Sequence, residues 1–295
     1  MIVWHAHERC AVHDLAFLPG GRLITSGDDA TRLWDVSEQT ELRRWEDGYA
    51  LHLAVSPDGR TVAGVGSGRL WRWAVDGDNR RALSGFVSST GFVTFSPDGH
   101  HIVGDGGFDH QLRRWVALDS RESPHGWGGE RTSSSPPTGP LLFSPDGRLL
   151  ATLCEDVSAA ALVLRNGDTG EVRSSLWPSV TTPRATRLAF SPDGKLLASI
   201  HGPTLVLWDM VTRREYGRGR VAKKPFMGVT FTTDGSRMLT ASNDTYLRVW
   251  TAPTWDQTTI YGWDAGKLGC VAVSADGTLA AAGGSTGKVV VWDLD

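Results

Sequence analysis

One turn recurs seven times along the 295-residue chain, and it constrains the fold more than any other feature. Four copies are identical in sequence: Ser56-Pro57-Asp58-Gly59, Ser96-Pro97-Asp98-Gly99, Ser144-Pro145-Asp146-Gly147 and Ser191-Pro192-Asp193-Gly194. Looser copies stand at Leu18-Pro19-Gly20-Gly21, Thr232-Thr233-Asp234-Gly235 and Ser274-Ala275-Asp276-Gly277. Proline presets φ, aspartate bonds the backbone ahead of it, and glycine accepts positive φ, so each copy predicts a hairpin turn between two strands. Apolar alternation agrees, as in Leu188-Ala189-Phe190 before a turn and Leu196-Leu197-Ala198-Ser199 after it. A tryptophan ends a third strand 13 to 16 residues past the last glycine in six copies: Trp34, Trp73, Trp115, Trp208, Trp250 and Trp292. A fourth segment, such as Glu41-Leu42-Arg43-Arg44-Trp45, follows in most copies. Four short strands per period leave little room for helix, and the chain is predicted to be all-β.

The final glycines of the turns, at 21, 59, 99, 147, 194, 235 and 277, are 38 to 48 residues apart. With that period, turn and tryptophan the chain resembles the WD-repeat family, whose repeats of roughly 40 to 45 residues each form a four-stranded blade. The Ser-Pro-Asp-Gly turns are similar to those of stand-alone bacterial members. The resemblance implies a seven-bladed β-propeller with four antiparallel strands per blade, filling residues 1–295 as a single domain. Blades are expected near 9–46, 47–86, 87–135, 136–181, 182–223, 224–264 and 265–295 plus 1–8. The last copy lacks a fourth strand, and Ile2-Val3-Trp4-His5 is expected to supply it, an N-terminal strand closing the last blade and removing an open edge. The family also implies a structural Asp six residues before the Trp, here Asp28, Asp109 and Asp244. Ser67, Ala159, Gly202 and Thr286 replace it elsewhere, Ala6-His7 is the one approximation to the opening Gly-His pair, and Arg165-Asn166 stand where Trp-Asp would. The six repeat tryptophans are assigned to the core, where burying about 150 to 250 Å² of aromatic surface gives a gross gain of about 4 to 6 kcal/mol each.

Charge excludes a general nucleic-acid binder, because 30 Lys and Arg against 33 Asp and Glu leave no basic footprint. No stretch approaches the roughly 18 apolar residues of a membrane helix, and no secretory signal opens the chain, so a cytoplasmic protein without a membrane partner is expected. Cys10, Cys154 and Cys270 form no C-x-x-C pair and read as incidental thiols. The chain has no G-x-S-x-G elbow, H-E-x-x-H motif or phosphate loop, and neither enzyme activity nor a cofactor is expected.

Candidate sites follow from the same register. His100, His101, Asp105, Asp109 and His110 lie close in sequence but match no metal spacing, and a plain turn is the preferred reading. His5 and His7 could chelate from one strand face, although His7 fits the opening histidine of a repeat better. Six cations between Arg213 and Lys224 read as guards of an outer edge strand, with an acidic partner as the other possibility. The family likeness implies partner binding around the central channel, at His13, Tyr49, Leu51, Phe108, Arg184, Met227 and Lys267. The expected function is a non-catalytic scaffold for a protein or peptide partner, with no metal, small-molecule or nucleic-acid ligand. The alternatives are a propeller-type hydrolase or lactonase with a site over the channel, and a sensor module of a larger bacterial signalling or defence assembly.

Overall fold

Six of the recurring turns, all but the one at 18–21, are knots of side-chain hydrogen bonds. In the copy at 56–59, Ser56 Oγ donates to Asp58 Oδ1 at 2.5 Å, and that oxygen also accepts from Arg60 N at 3.0 Å. Thr61 N donates back to Ser56 Oγ at 2.9 Å, and Gly59 takes φ of +68°, a conformation that favours glycine. The same hydroxyl-to-carboxylate bond closes the turns at Ser96, Ser144, Ser191, Thr232 and Ser274. Sequence chemistry thus fixes where each strand pair reverses.

The computed structural model describes residues 1–8, 10–46, 49–77, 80–83, 91–105, 112–117, 125–126, 139–156, 159–177, 185–220 and 224–294. They form seven four-stranded antiparallel sheets, the blades of an all-β seven-bladed propeller. Blade 1 consists of Asp14–Leu18, Arg22–Ser26, Thr31–Asp35 and Thr40–Trp45, in chain order from first strand to outer strand. Blades 2 to 6 repeat this order. Blade 7 joins Leu268–Val273, Leu279–Gly284 and Lys288–Asp293 to the N-terminal strand Ile2–His5, with Ile2 opposite Val291 and His5 opposite Lys288. The N-terminal strand therefore closes the last blade.

The chain separates into two compact units, residues 1–51 with 186–295, and residues 52–185. In the first, Trp4, Leu15, Leu23, Trp34, Val289 and Val291 form one apolar cluster, with the Trp4 and Trp34 rings edge to face at 5.9 Å. In the second, Trp115 packs with Ala63, Val65, Leu70 and Ile102. All six repeat tryptophans are buried.

Register explains how the buried indoles are satisfied. Trp34 lies opposite Leu23, and Thr25, two residues on, accepts its Nε1–H at 3.0 Å. The same step gives Trp208 to Ser199 at 2.8 Å and Trp250 to Thr240 at 2.9 Å. In blade 4, where tryptophan is missing, buried Arg165 takes the position, donating from Nε to Thr152 Oγ1 at 3.3 Å and from Nη1 to Gly170 O at 3.1 Å. A guanidinium stem covers apolar surface while its nitrogens supply the donor the indole would have given. The equivalent positions in blades 2, 3 and 7 are Gly64, Gly104 and Ala282, which have no hydroxyl.

Candidate metal centre

His7 lies two residues past the end of the closing strand and is pinned by its backbone, His7 N and Ala6 N both donating to Gly287 O, at 3.0 and 2.9 Å. Its imidazole is buried. Nε2 lies 3.0 Å from Thr25 Oγ1, and Nδ1 lies 2.5 Å from Asp29 Oδ1. Cys10 Sγ donates to the same Asp29 oxygen at 3.2 Å. Arg32, almost fully buried, holds the other Asp29 oxygen and reaches Glu41 Oε2 at 3.2 Å. Gly27 makes room for the group: a Cβ there would stand 2.6 Å from His7 Nδ1 and 2.9 Å from Cys10 Sγ.

The donor atoms of His7, Cys10 and Asp29 all lie within 4.8 Å of one another. Burial pushes the His7 imidazole below its usual range, against the pull of Asp29, so the ring is neutral at pH 7. Burial raises the Cys10 thiol. Burial would also raise Asp29, but hydrogen bonds from His7 and Cys10 and the Arg32 charge outweigh it and hold the carboxyl at about 2. A neutral imidazole, a carboxylate and a thiol are nitrogen, oxygen and sulfur donors of the kind that bind zinc and other borderline divalent ions.

This cluster corrects several expectations at once. A purely non-catalytic scaffold, a chain without enzyme chemistry and the absence of a small ligand were all predicted, and the three converging donors, which could hold a metal ion, count against them. The sequence carried one signal for it, the His7-x-x-Cys10 spacing, but Cys10 was set aside because it pairs with no second cysteine. The carboxylate that reaches His7 is Asp29, one residue beyond Asp28, the residue the family register selects. Asp28 instead accepts from His13 Nε2 at 2.7 Å, and the His13 ring lies 6.1 Å from that of Tyr49. The structure thus brings two of the predicted partner-binding residues to the flank of the cluster.

The remaining predicted residues are dispersed. Leu51, just before the strand His52–Val55, and Met227, within the strand Phe226–Phe231, are half-buried, and Lys267 is exposed with its backbone N bonded to Ser285 Oγ at 3.0 Å. Asp244 pairs with Arg248. His5 is exposed and lies opposite Lys288 in the closing strand. Phe108, Asp109, His110 and Arg184 lie outside the described residues.

Three stretches of the chain, residues 1–35, 220–251 and 256–293, match the model of the WD domain, G-beta repeat. The fold is a WD40-type β-propeller. The first WD40 match contains His7, Cys10, Thr25, Asp29 and Trp34, so the candidate centre is built entirely within a recognisable repeat. No curated protein matches the chain. Among the described residues, no helix is long and apolar enough to cross a membrane.

Proposed function

We propose that this chain binds a divalent transition metal, zinc by its donor set, through His7, Cys10 and Asp29, and uses it to hydrolyse a small ester or lactone. The convergence of three donor atoms within 4.8 Å carries this reading. Three protein ligands leave a fourth position for water, the pattern of catalytic zinc sites, and a bound ion lowers the pKa of that water to about 7. Asp29 and Cys10 are both partly solvent-exposed, which gives that position access to substrate.

His7 Nδ1 and Asp29 Oδ1, at 2.5 Å, share a proton at a separation shorter than the ~3.3 Å expected of two tetrahedral donors at zinc bond lengths. An ion held by His7 Nδ1, Asp29 Oδ1 and Cys10 Sγ would need the first two atoms farther apart than they stand here, with Arg32 still holding the other Asp29 oxygen. That same single ring proton would then reside on Nε2, with Thr25 Oγ1 at 3.0 Å as its acceptor, the outer-shell bond that orients a ligating histidine. His13 and Tyr49 would border the substrate side. Cys10 is a free thiol, and the reducing cytoplasmic setting expected from the sequence would keep it competent to ligate.

A second reading rests on the unbroken hydrogen-bond chain itself. Trp34, Thr25, His7 and Asp29 are linked without an ion and tie the N-terminal segment to blade 1. Calorimetric titration of Zn²⁺ into metal-stripped protein separates the two. One ion per chain, lost in Cys10→Ala and Asp29→Ala, together with zinc-dependent turnover of a p-nitrophenyl ester or a lactone, supports the hydrolase. Binding without turnover restricts the cluster to metal binding, and no binding in a folded protein leaves the hydrogen-bonded clamp alone.

A further inference from the structure

Neighbouring blades 5 and 6, both within the unit of residues 1–51 and 186–295, leave a cleft of about 670 Å³ between their turn-bearing ends. Blade 5 lines it with Asp193, Lys195, Asp209, Val211 and outer-strand Tyr216, and blade 6 with Asp234, Pro253 and Trp255. The turns concerned join first to second and third to outer strands, whereas Asp29 sits in a turn between second and third strands, at the other end of its blade. The cleft is therefore separate from the candidate metal centre.

Its electrostatics are one-sided. Lys195 Nζ pairs with Asp193 Oδ2 at 3.4 Å, but among the described residues neither Asp209 nor Asp234 has an ion pair. Both stay charged at pH 7: bonds from Thr212 N and Val211 N hold Asp209 below its usual range, and hydrogen bonds from Ser236 and Thr232 hold Asp234 at about 2. Two rings border these carboxylates in fixed poses. Tyr216 Oη donates to Pro253 O across the two blades at 3.2 Å, and Trp255 meets Phe231 edge to face at 5.4 Å. Trp255 has φ of +58° at a turn position where blade 4 has Gly170, an unfavourable place for a bulky ring. The matching cleft between blades 7 and 1 is smaller, about 280 Å³, with Gly20 where this one has Asp234 and Ile2 on its outer strand where this one has a ring. Charge and rings thus belong to blades 5 and 6 and not to the repeat.

We propose that this cleft binds an arginine-bearing, extended basic segment of a partner protein. Charge complementarity selects the sign, because two carboxylates without a counter-charge repel an acidic segment. The rings select arginine over lysine, since a planar guanidinium forks onto a carboxylate and also lies flat on an aromatic face. Volume selects a peptide over a single small ion, as about 670 Å³ lies within the range of sites that enclose several groups. Val211, 79% exposed at the cleft, offers apolar surface to the residues flanking the arginine.

Fluorescence polarisation of a fluorescein-labelled hexapeptide, Gly and Ser with two arginines, titrated with the full chain, tests it. The wild type is expected to bind this peptide, more weakly as salt rises, and not to bind the same peptide with glutamates in place of the arginines. Val211→Lys, on an exposed turn outside the core, should weaken binding by about tenfold, and Asp234→Asn by about fivefold. Asp276→Asn, which alters the same turn carboxylate in blade 7 away from the cleft, should leave it unchanged. Lys195→Ala frees Asp193 and should tighten binding by about twofold. A folded wild type that ignores the arginine peptide, equal losses in Asp234→Asn and Asp276→Asn, or equal binding of the glutamate peptide would overturn the proposal.

Discussion

Blades 1 and 7 contribute to one apolar cluster, yet they secure their repeat tryptophans by different means. In blade 1 the Trp34 indole enters a polar chain through Thr25 to His7 and on to Asp29. In blade 7 the residue at the place of Thr25 is Ala282, and Trp292 rests on Trp263 with ring centroids 4.8 Å apart. At the tight turn, where blade 1 has Asp29, blade 7 has Thr286, whose hydroxyl donates to Ala265 O at 2.9 Å. A blade can therefore be built from alanine, valine and stacked rings. The buried polar chain of blade 1 is more than packing requires, and burying such groups is costly unless every one is satisfied. Its surplus is chemical, consisting of an imidazole, a carboxylate and a thiol aimed at one point.

The largest stability effect expected from this difference is at the shared hydroxyl. Thr25→Val keeps shape but leaves the indole and an imidazole nitrogen without their partner, at a cost of about 2 kcal/mol. Thr240→Val in blade 6 deprives the Trp250 indole and should cost about 1 kcal/mol. Urea denaturation at unchanged slope measures both. Equal losses would mean that blade 1 is wired no differently from blade 6.

A smaller effect follows from acid. Asp29 has its folded pKa lowered from 3.8 to about 2, so the folded state binds fewer protons than the unfolded one across that interval. Its stabilising contribution is complete above the unfolded value and disappears as pH falls toward about 2. Asp29→Asn should flatten the fall of the melting temperature between those pH values. The corresponding Thr286 of blade 7 does not titrate, and replacing it by Val should leave the slope as it was.

The architecture was legible in the sequence because its determinants are local and repeated. A Ser-Pro-Asp-Gly turn needs only its own residues to close, and four of them with three looser copies in regular spacing set the strand order. Arg165 was legible as a departure, but its role was not, since the hydroxyl it meets on Thr152 is set by cross-strand register. The His7–Cys10–Asp29 cluster was hidden for the same reason. Residues 7 and 10 belong to the segment after the closing strand, Asp29 to a turn of the next blade, and their meeting depends on sheet pairing across the chain's ends. The register itself misled by one residue, Asp28 turning to His13 while Asp29 turns inward.

The most direct measurement of whether His7, Cys10 and Asp29 share an ion is X-ray absorption at the zinc edge on protein loaded with one equivalent of Zn²⁺. One sulfur scatterer at about 2.3 Å, with nitrogen and oxygen at about 2.0 to 2.2 Å, is the predicted first shell, and the sulfur should vanish in Cys10→Ala. A shell of oxygen and nitrogen alone in the wild type, unchanged by that substitution, would contradict it.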